Sequence, residues 1–302
     1  MNGKIANFAQ VASVRRYTIT NGREKGLDVI DCDNGKIRFL LNESKALDIM
    51  QVFHEGQNVS FLSKNAFTKR EIPFLNRFEG GMLYTCGLDV AGNVPGHDLH
   101  GTFHNTPAEI VSARIINDEI VVEANITLSA LFGQNLVVNR KITSKLGSDN
   151  LTLNDTITNM AYDDAKYVIL YHINVGYPML DKDAKIKLDY NKIECCGDFA
   201  EEHVADAQLM TDCVPCQDEM CYYYKLNKPE ISLVNEKLGK TFTVQYSQET
   251  LPWFLEWKSM ASGDYALGLE PCSSKIGEQT EYKILKSQEK ANFTLNLKIS
   301  KN

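Results

Sequence analysis

In the segment Ala291-Asn-Phe-Thr-Leu-Asn-Leu-Lys-Ile299, apolar residues recur at every second position, so Phe293, Leu295, Leu297 and Ile299 fall on one side of an extended chain. Leu151-Thr-Leu-Asn-Asp-Thr-Ile157 does the same with Leu151, Leu153 and Ile157. A period of two marks a half-buried antiparallel strand, because successive side chains of a strand point to opposite faces. The pattern recurs along the chain in both directions. Ala113-Arg-Ile-Ile116 and Ile120-Val-Val-Glu-Ala124 flank Asn117-Asp118-Glu119, a loop of hairpin length made of turn formers. The stretches 136–142, 167–171 and 241–246 add strands rich in β-branched and aromatic residues. Helical periodicity is scarce, and Ser63 to Arg70 is the one stretch that suggests two helical turns. Strands spread this evenly, without helical crossovers, predict an all-β fold: a large antiparallel β-sandwich or barrel with few short helices. With neither a fixed-period repeat nor a flexible linker, residues 1–302 are expected to form a single domain.

Composition narrows the function classes. The chain has 302 residues, 43% apolar and 24% charged, which excludes disordered and collagen-like classes. At this length roughly three quarters of the unfolded surface can be buried, so stability requires no cofactor. Thirty-two basic against 39 acidic residues give a net charge of −7 with no long basic block, so nucleic acid is not an expected partner. No apolar core follows basic residues at the N-terminus, and no run of about 18 apolar residues exists, so neither a secretory signal nor a membrane helix is expected. These features predict a cytoplasmic protein. Eight cysteines in such a compartment are expected as thiols. Cys195, Cys196, Cys213, Cys216 and Cys221 crowd one stretch and could supply zinc thiolates, but adjacent cysteines ligate one metal poorly and no second C-x-x-C is present.

Three segments carry candidate chemistry. Residues 76–109 hold Gly80, Gly81, Gly87, Gly92, Gly96 and Gly101 together with His97, His100 and His104, a long Gly-rich connection of the kind that carries binding groups on a β scaffold. Tyr171-His172-Ile173-Asn174-Val175-Gly176-Tyr177-Pro178 ends an apolar run. There His172 suits a proton donor, and its bland alternative is a core histidine satisfied by a carbonyl. Leu267-Gly268-Leu269-Glu270-Pro271-Cys272 sets Glu270 among apolar neighbours, where a partly buried carboxylate has a raised pKa fit for a general base. The His–Glu spacing is not a local metal motif, and neither a G-x-S-x-G elbow nor a phosphate-binding G-x-x-x-x-G-K-[ST] loop is present.

Taken in order, Asn76-Arg77-Phe78-x-Gly80-Gly81, Thr85-Cys86-Gly87-Leu88, Leu99-His100-Gly101, Tyr171-His172-x-Asn174-x-Gly176-x-Pro178, Glu256-Trp257-Lys258 and Leu269-Glu270-Pro271 resemble the aldose 1-epimerase (galactose mutarotase-like) superfamily, in particular its branch of uncharacterised mutarotase-related proteins. The resemblance covers about residues 35–285. It implies a large β-sandwich, a small-molecule sugar as ligand, and interconversion of α and β anomers by ring opening without a metal or other cofactor. By the same resemblance His172 is the general acid and Glu270 the base, while Arg77 and His100 bind the sugar. Asn174 belongs to the matching motif. Trp257 could stack on a sugar face, and Asp89, His104 and Lys258 are further candidates, Lys258 as a cation that would select an anionic sugar. The sequence departs from the well-characterised members after His172, and no motif places the aspartate they carry; Asp206, Asp212 and Asp264 are the options. A sugar-binding protein without turnover, and a different sugar epimerase, are the alternative functions. A homodimer is left open.

Overall fold

The computed structural model describes residues 3–302. Its strands form two antiparallel sheets. The first is a meander of five strands running in sequence order from Ser13–Thr18 to Gln57–Asn58. The second has thirteen strands. One part of it runs from Glu109–Ile116 through Glu119–Ser129, Asn135–Lys145 and Asn150–Asn159 to Lys290–Lys301 and Lys240–Tyr246. The long strand Met220–Asn235 joins this part to the rest: its residues 230–235 pair with Lys240–Tyr246 and its residues 220–224 with Trp253–Ala261. Beyond lie Asp264–Cys272, Ala165–Val175 and Lys283–Leu285, with Leu83–Leu88 also paired to Ala165–Val175.

The alternating segments sit as their pattern requires. Leu151 pairs with Leu297 and Leu153 with Leu295, all at most 3% exposed. Burying each such side chain stabilises the fold by about 1.5–3 kcal/mol. The 113–124 segment is a hairpin whose turn residues, Asn117 and Asp118, both have positive φ (50° and 59°), as a two-residue type I′ turn demands. One apolar cluster draws on both sheets, including Phe39 and Ile49 of the first and Ile142, Leu153 and Phe293 of the second. A buried polar network crosses the same boundary. Arg140 donates to both oxygens of Asp155 (2.9 and 2.7 Å) and reaches Asp48 of the first sheet; Asp48 in turn contacts His104 Nδ1 at 2.6 Å.

The stretch Ser63 to Arg70 is not a helix. Ala66 has φ of +56°, which breaks helical propagation, and the Asn65 amide donates to the carbonyls of Leu75 and Phe78, holding the segment as a loop. The two α-helices among the described residues are short, Phe74–Arg77 and Asp198–Glu202. All eight cysteines are free thiols, and among the described residues no three His, Cys, Asp or Glu side chains converge as metal ligands would. No helix of the described residues is long and apolar enough to cross a membrane.

Candidate active site

His172 and Glu270 come together through strand register. The strands Ala165–Val175 and Asp264–Cys272 pair Leu170 with Cys272 and Ile173 with Leu269, which sets His172 opposite Glu270 on one face of the large sheet. The ladder lapses between those two pairs, where Pro271 has no N–H to donate. On the flanking strands the same row continues: Tyr84 pairs with His172, Leu255 with Glu270 and Tyr223 with Leu255. Residues at every second position of these strands form a second, smaller apolar cluster that includes Tyr84, Cys86, Leu170, Leu255 and Cys272. This face floors a groove of about 750 Å3 lined by His100, His172, Trp257 and Glu270.

His172 Nε2 lies 3.2 Å from Glu270 Oε1, but the contact is off the direction of a hydrogen bond, and both Glu270 Oε1 and His172 Nδ1 are buried without a hydrogen-bond partner. Buried polar atoms are nearly always paired, so two unpaired atoms on residues that line one groove mark unused hydrogen-bonding capacity at this place in the fold. Gly268 makes the room. A Cβ there would stand 2.2 Å from Glu270 Oε1 and 3.1 Å from His172 Cε1. Burial, with the Glu219 carboxylate adding to it, pushes the Glu270 carboxyl well above its usual range. Burial and the neighbouring His100 hold the His172 imidazole well below its own. An aromatic box surrounds the imidazole: Phe78, His100 and Trp257 have ring centroids 5.4, 5.8 and 5.3 Å away.

His100 stands in the groove on a loop held at several points. Its Nδ1 accepts from the Gly92 N–H (3.2 Å), so Nε2 carries the hydrogen, and burial pushes its pKa down to about 4. His100 is therefore a neutral donor near pH 7. Asp89 does not line this groove; it accepts from the Thr102 N–H and hydroxyl (3.1 and 2.8 Å) and fixes the loop. Arg77 is 2% exposed and is also absent from the groove lining. It donates to Asp98 at 2.5 Å, while Asp98 also accepts from the Phe74 and Leu99 N–H groups, so Arg77 ties the short helix Phe74–Arg77 to the loop bearing His100.

The remaining candidates divide in the same way. Trp257 lines the groove, with its indole N–H donating to Glu219 at 2.7 Å. Asn174 is buried beside His172 and donates to the His172 carbonyl at 3.0 Å. His104 lies in the core between Asp48 and Glu79 (2.6 and 2.8 Å) and stacks on Tyr84, away from the groove. Lys258 points away from the groove because it alternates with Trp257. Its ammonium donates to the carbonyls of Asp206, Ala207 and Leu209, so it offers no charge to a ligand. Of the three aspartates, Asp264 lines the groove, paired with Lys64 at 2.7 Å, while Asp212 pairs with Lys182. Phe74, Phe78, Asp218 and Glu219 also line the groove and went unnoticed in the sequence. Phe78 stands in the Asn76-Arg77-Phe78 motif but carried no assigned role there; Phe74, Asp218 and Glu219 carry no pattern.

A thirteen-stranded antiparallel sheet with a five-stranded meander packed against it is the fold of galactose mutarotase-like proteins. By sequence the chain belongs to a family described as a domain of unknown function, DUF4432, which matches residues 24–299. The fold is shared with a candidate aldose 1-epimerase from Klebsiella pneumoniae subsp. pneumoniae at TM-score 0.88 and 20% identity, over 97% of this chain and 86% of that one. A galactose mutarotase-like protein from Clostridium acetobutylicum superposes at TM-score 0.73 and 12% identity, over 97% and 100% of the two chains. A galactose 1-epimerase from Lactobacillus acidophilus superposes at 0.69 and 12%, over 96% and 99%. At these identities the likeness is one of fold. No curated protein matches the chain in sequence.

Proposed function

We propose that the protein is an isomerase of the aldose 1-epimerase type, interconverting the anomers of an uncharged aldose with His172 and Glu270 as its acid–base pair. The observation that carries this reading is the approach of His172 Nε2 to 3.2 Å from Glu270 Oε1, on two residues that line one groove and each keep a buried polar atom without a partner. Ring opening needs a proton removed from the anomeric hydroxyl and a proton delivered to the ring oxygen. A pair sharing one proton supplies both, whichever partner holds it at the start. Burial disfavours the charged form of each group, raising the Glu270 carboxyl and lowering the His172 imidazole, so their proton affinities draw together and one proton can pass between them. The partner that holds the proton delivers it to the ring oxygen while the other takes the hydroxyl proton; in the roles the sequence resemblance implies, His172 is the donor and Glu270 the base. After rotation about C1–C2 the two exchange roles and the ring closes on the other face. His100 Nε2–H and the aromatic box orient the sugar.

Groove charge favours a neutral sugar. Asp218, Glu219 and Asp264 line it, and the one ammonium, Lys64, is paired with Asp264. A uronate or phosphorylated sugar would meet net repulsion there. Polarimetry or NMR exchange on neutral aldoses tests the reading. Removing one member of an acid–base pair is expected to lower the rate about 10²–10⁴-fold in Glu270→Gln and His172→Ala. Wild-type rates equal to buffer for every sugar contradict it. A binding protein without turnover is less well supported, since the two groups are near enough to touch one pyranose.

A further inference from the structure

The groove has a side chamber. A second cavity of about 490 Å3 adjoins it, and Cys221, Leu255 and Ile276 line both, so the divider is made of side chains shared by the two spaces. The row Glu270, Leu255, Tyr223 leads from the acid–base pair into this chamber. Adjacent strands lie about 4.8 Å apart, so Tyr223 stands roughly 10 Å from Glu270, about one sugar ring beyond the ring that reacts. The chamber is built for a polyol. Tyr223, Leu255 and Ile276 give an apolar floor, and the Tyr223 hydroxyl accepts from the Ile276 N–H at 3.0 Å, which fixes the divider. Its rim carries Gln279, the exposed Glu278 and an ion pair, Lys275 Nζ to Glu194 Oε2 at 2.5 Å, both partners partly exposed. The ion pair offers donors and acceptors and Glu278 leaves the rim with one carboxylate in excess, a combination that suits hydroxyls and disfavours an anionic group.

We propose that this chamber is a subsite for a second sugar ring, so that the substrate is a reducing disaccharide whose free aldose end lies at His172 and Glu270. The inference rests on the mutarotase reading for its chemistry but not for its binding. NMR exchange rates and saturation-transfer binding are measured for glucose and galactose and for maltose, cellobiose and lactose, with wild type and with Cys196→Trp and Gln279→Trp. Both substitutions fill the chamber from its outer rim, and Gln279 is exposed, so at least that variant keeps its fold. The expected result is that at least one disaccharide has a kcat/KM tenfold or more above its constituent monosaccharides. Both variants should lose that advantage while keeping wild-type monosaccharide rates. Equal rates for one and two rings, or an advantage that survives both substitutions, overturn the inference. If no sugar is turned over, the mutarotase reading falls and binding decides: tighter disaccharide binding lost in both variants upholds the subsite, and equal or absent binding overturns it.

Discussion

Replacing Gly268 by alanine places a methyl group where the structure keeps a void for the Glu270 carboxyl. The new Cβ would lie 2.2 Å from Glu270 Oε1, and ordinary contact begins near 3.4 Å, so the carboxyl must retreat by about 1.2 Å. Retreat is constrained, because His172 Nε2 stands 3.2 Å away from the same oxygen and Trp257 Cβ lies 3.1 Å from the inserted methyl. A misplacement of about 1 Å in a catalytic group costs on the order of 10²-fold in rate. The backbone itself is no obstacle, since Gly268 is not among the glycines with positive φ. Overpacking should cost about 1–3 kcal/mol, offset by about 0.4–1 kcal/mol from the stiffer unfolded chain. The variant should therefore fold, melt a few degrees lower, and show anomer exchange about 100-fold slower by NMR. An exchange rate within twofold of wild type in a folded Gly268→Ala protein would refute the reasoning that this void positions the carboxyl.

Arg77→Ala frees Asp98 and loosens the loop carrying His100, so KM should rise about tenfold or more with kcat changed less; an equal loss in both would place Arg77 in the chemical step instead. Lys258→Met should destabilise by about 1–3 kcal/mol, because three buried or partly buried carbonyls lose their donor, and should leave the preference for neutral over anionic sugars unchanged. A shift in that preference would mean the ammonium is felt in the groove. Glu270→Gln should stabilise the fold, measured by melting across pH. The folded carboxyl binds its proton more tightly than the unfolded one, so wild type loses up to about 1.4 kcal/mol per pH unit from about 4.5 upward until the folded pKa is passed, a loss glutamine does not share. A variant no more stable than wild type at neutral pH would show the carboxyl to be ionised without penalty.

The strands were legible because their residues obey a simple period. Phe293 to Ile299 and Leu151 to Ile157 pack as the alternation requires, and the hairpin expected around Asn117-Asp118-Glu119 turns on Asn117 and Asp118 alone, with Glu119 already paired to Ile116. Ser63 to Arg70 misled because its local pattern tolerates a helix, while the contacts that keep it a loop come from Leu75 and Phe78. In the site, His172 and Glu270 were found by chemistry in apolar surroundings, and register explains why they meet. Residues with charge but no period were harder. Lys258 and Arg77 sit in motifs and His104 in the Gly-rich segment 76–109, yet their side chains serve carbonyls, a loop aspartate and a core network, none of which leaves a trace in the neighbouring sequence. Glu219 and Phe78 reach the groove through tertiary packing alone.

The most direct test of the central claim is two-dimensional NMR exchange between α and β anomers of neutral aldoses and reducing disaccharides, with purified wild-type protein, His172→Ala and Glu270→Gln side by side. The account predicts exchange well above buffer for wild type and a loss of about 10²-fold or more in each variant. Exchange indistinguishable from buffer for wild type across the panel, or undiminished in folded variants, would contradict it.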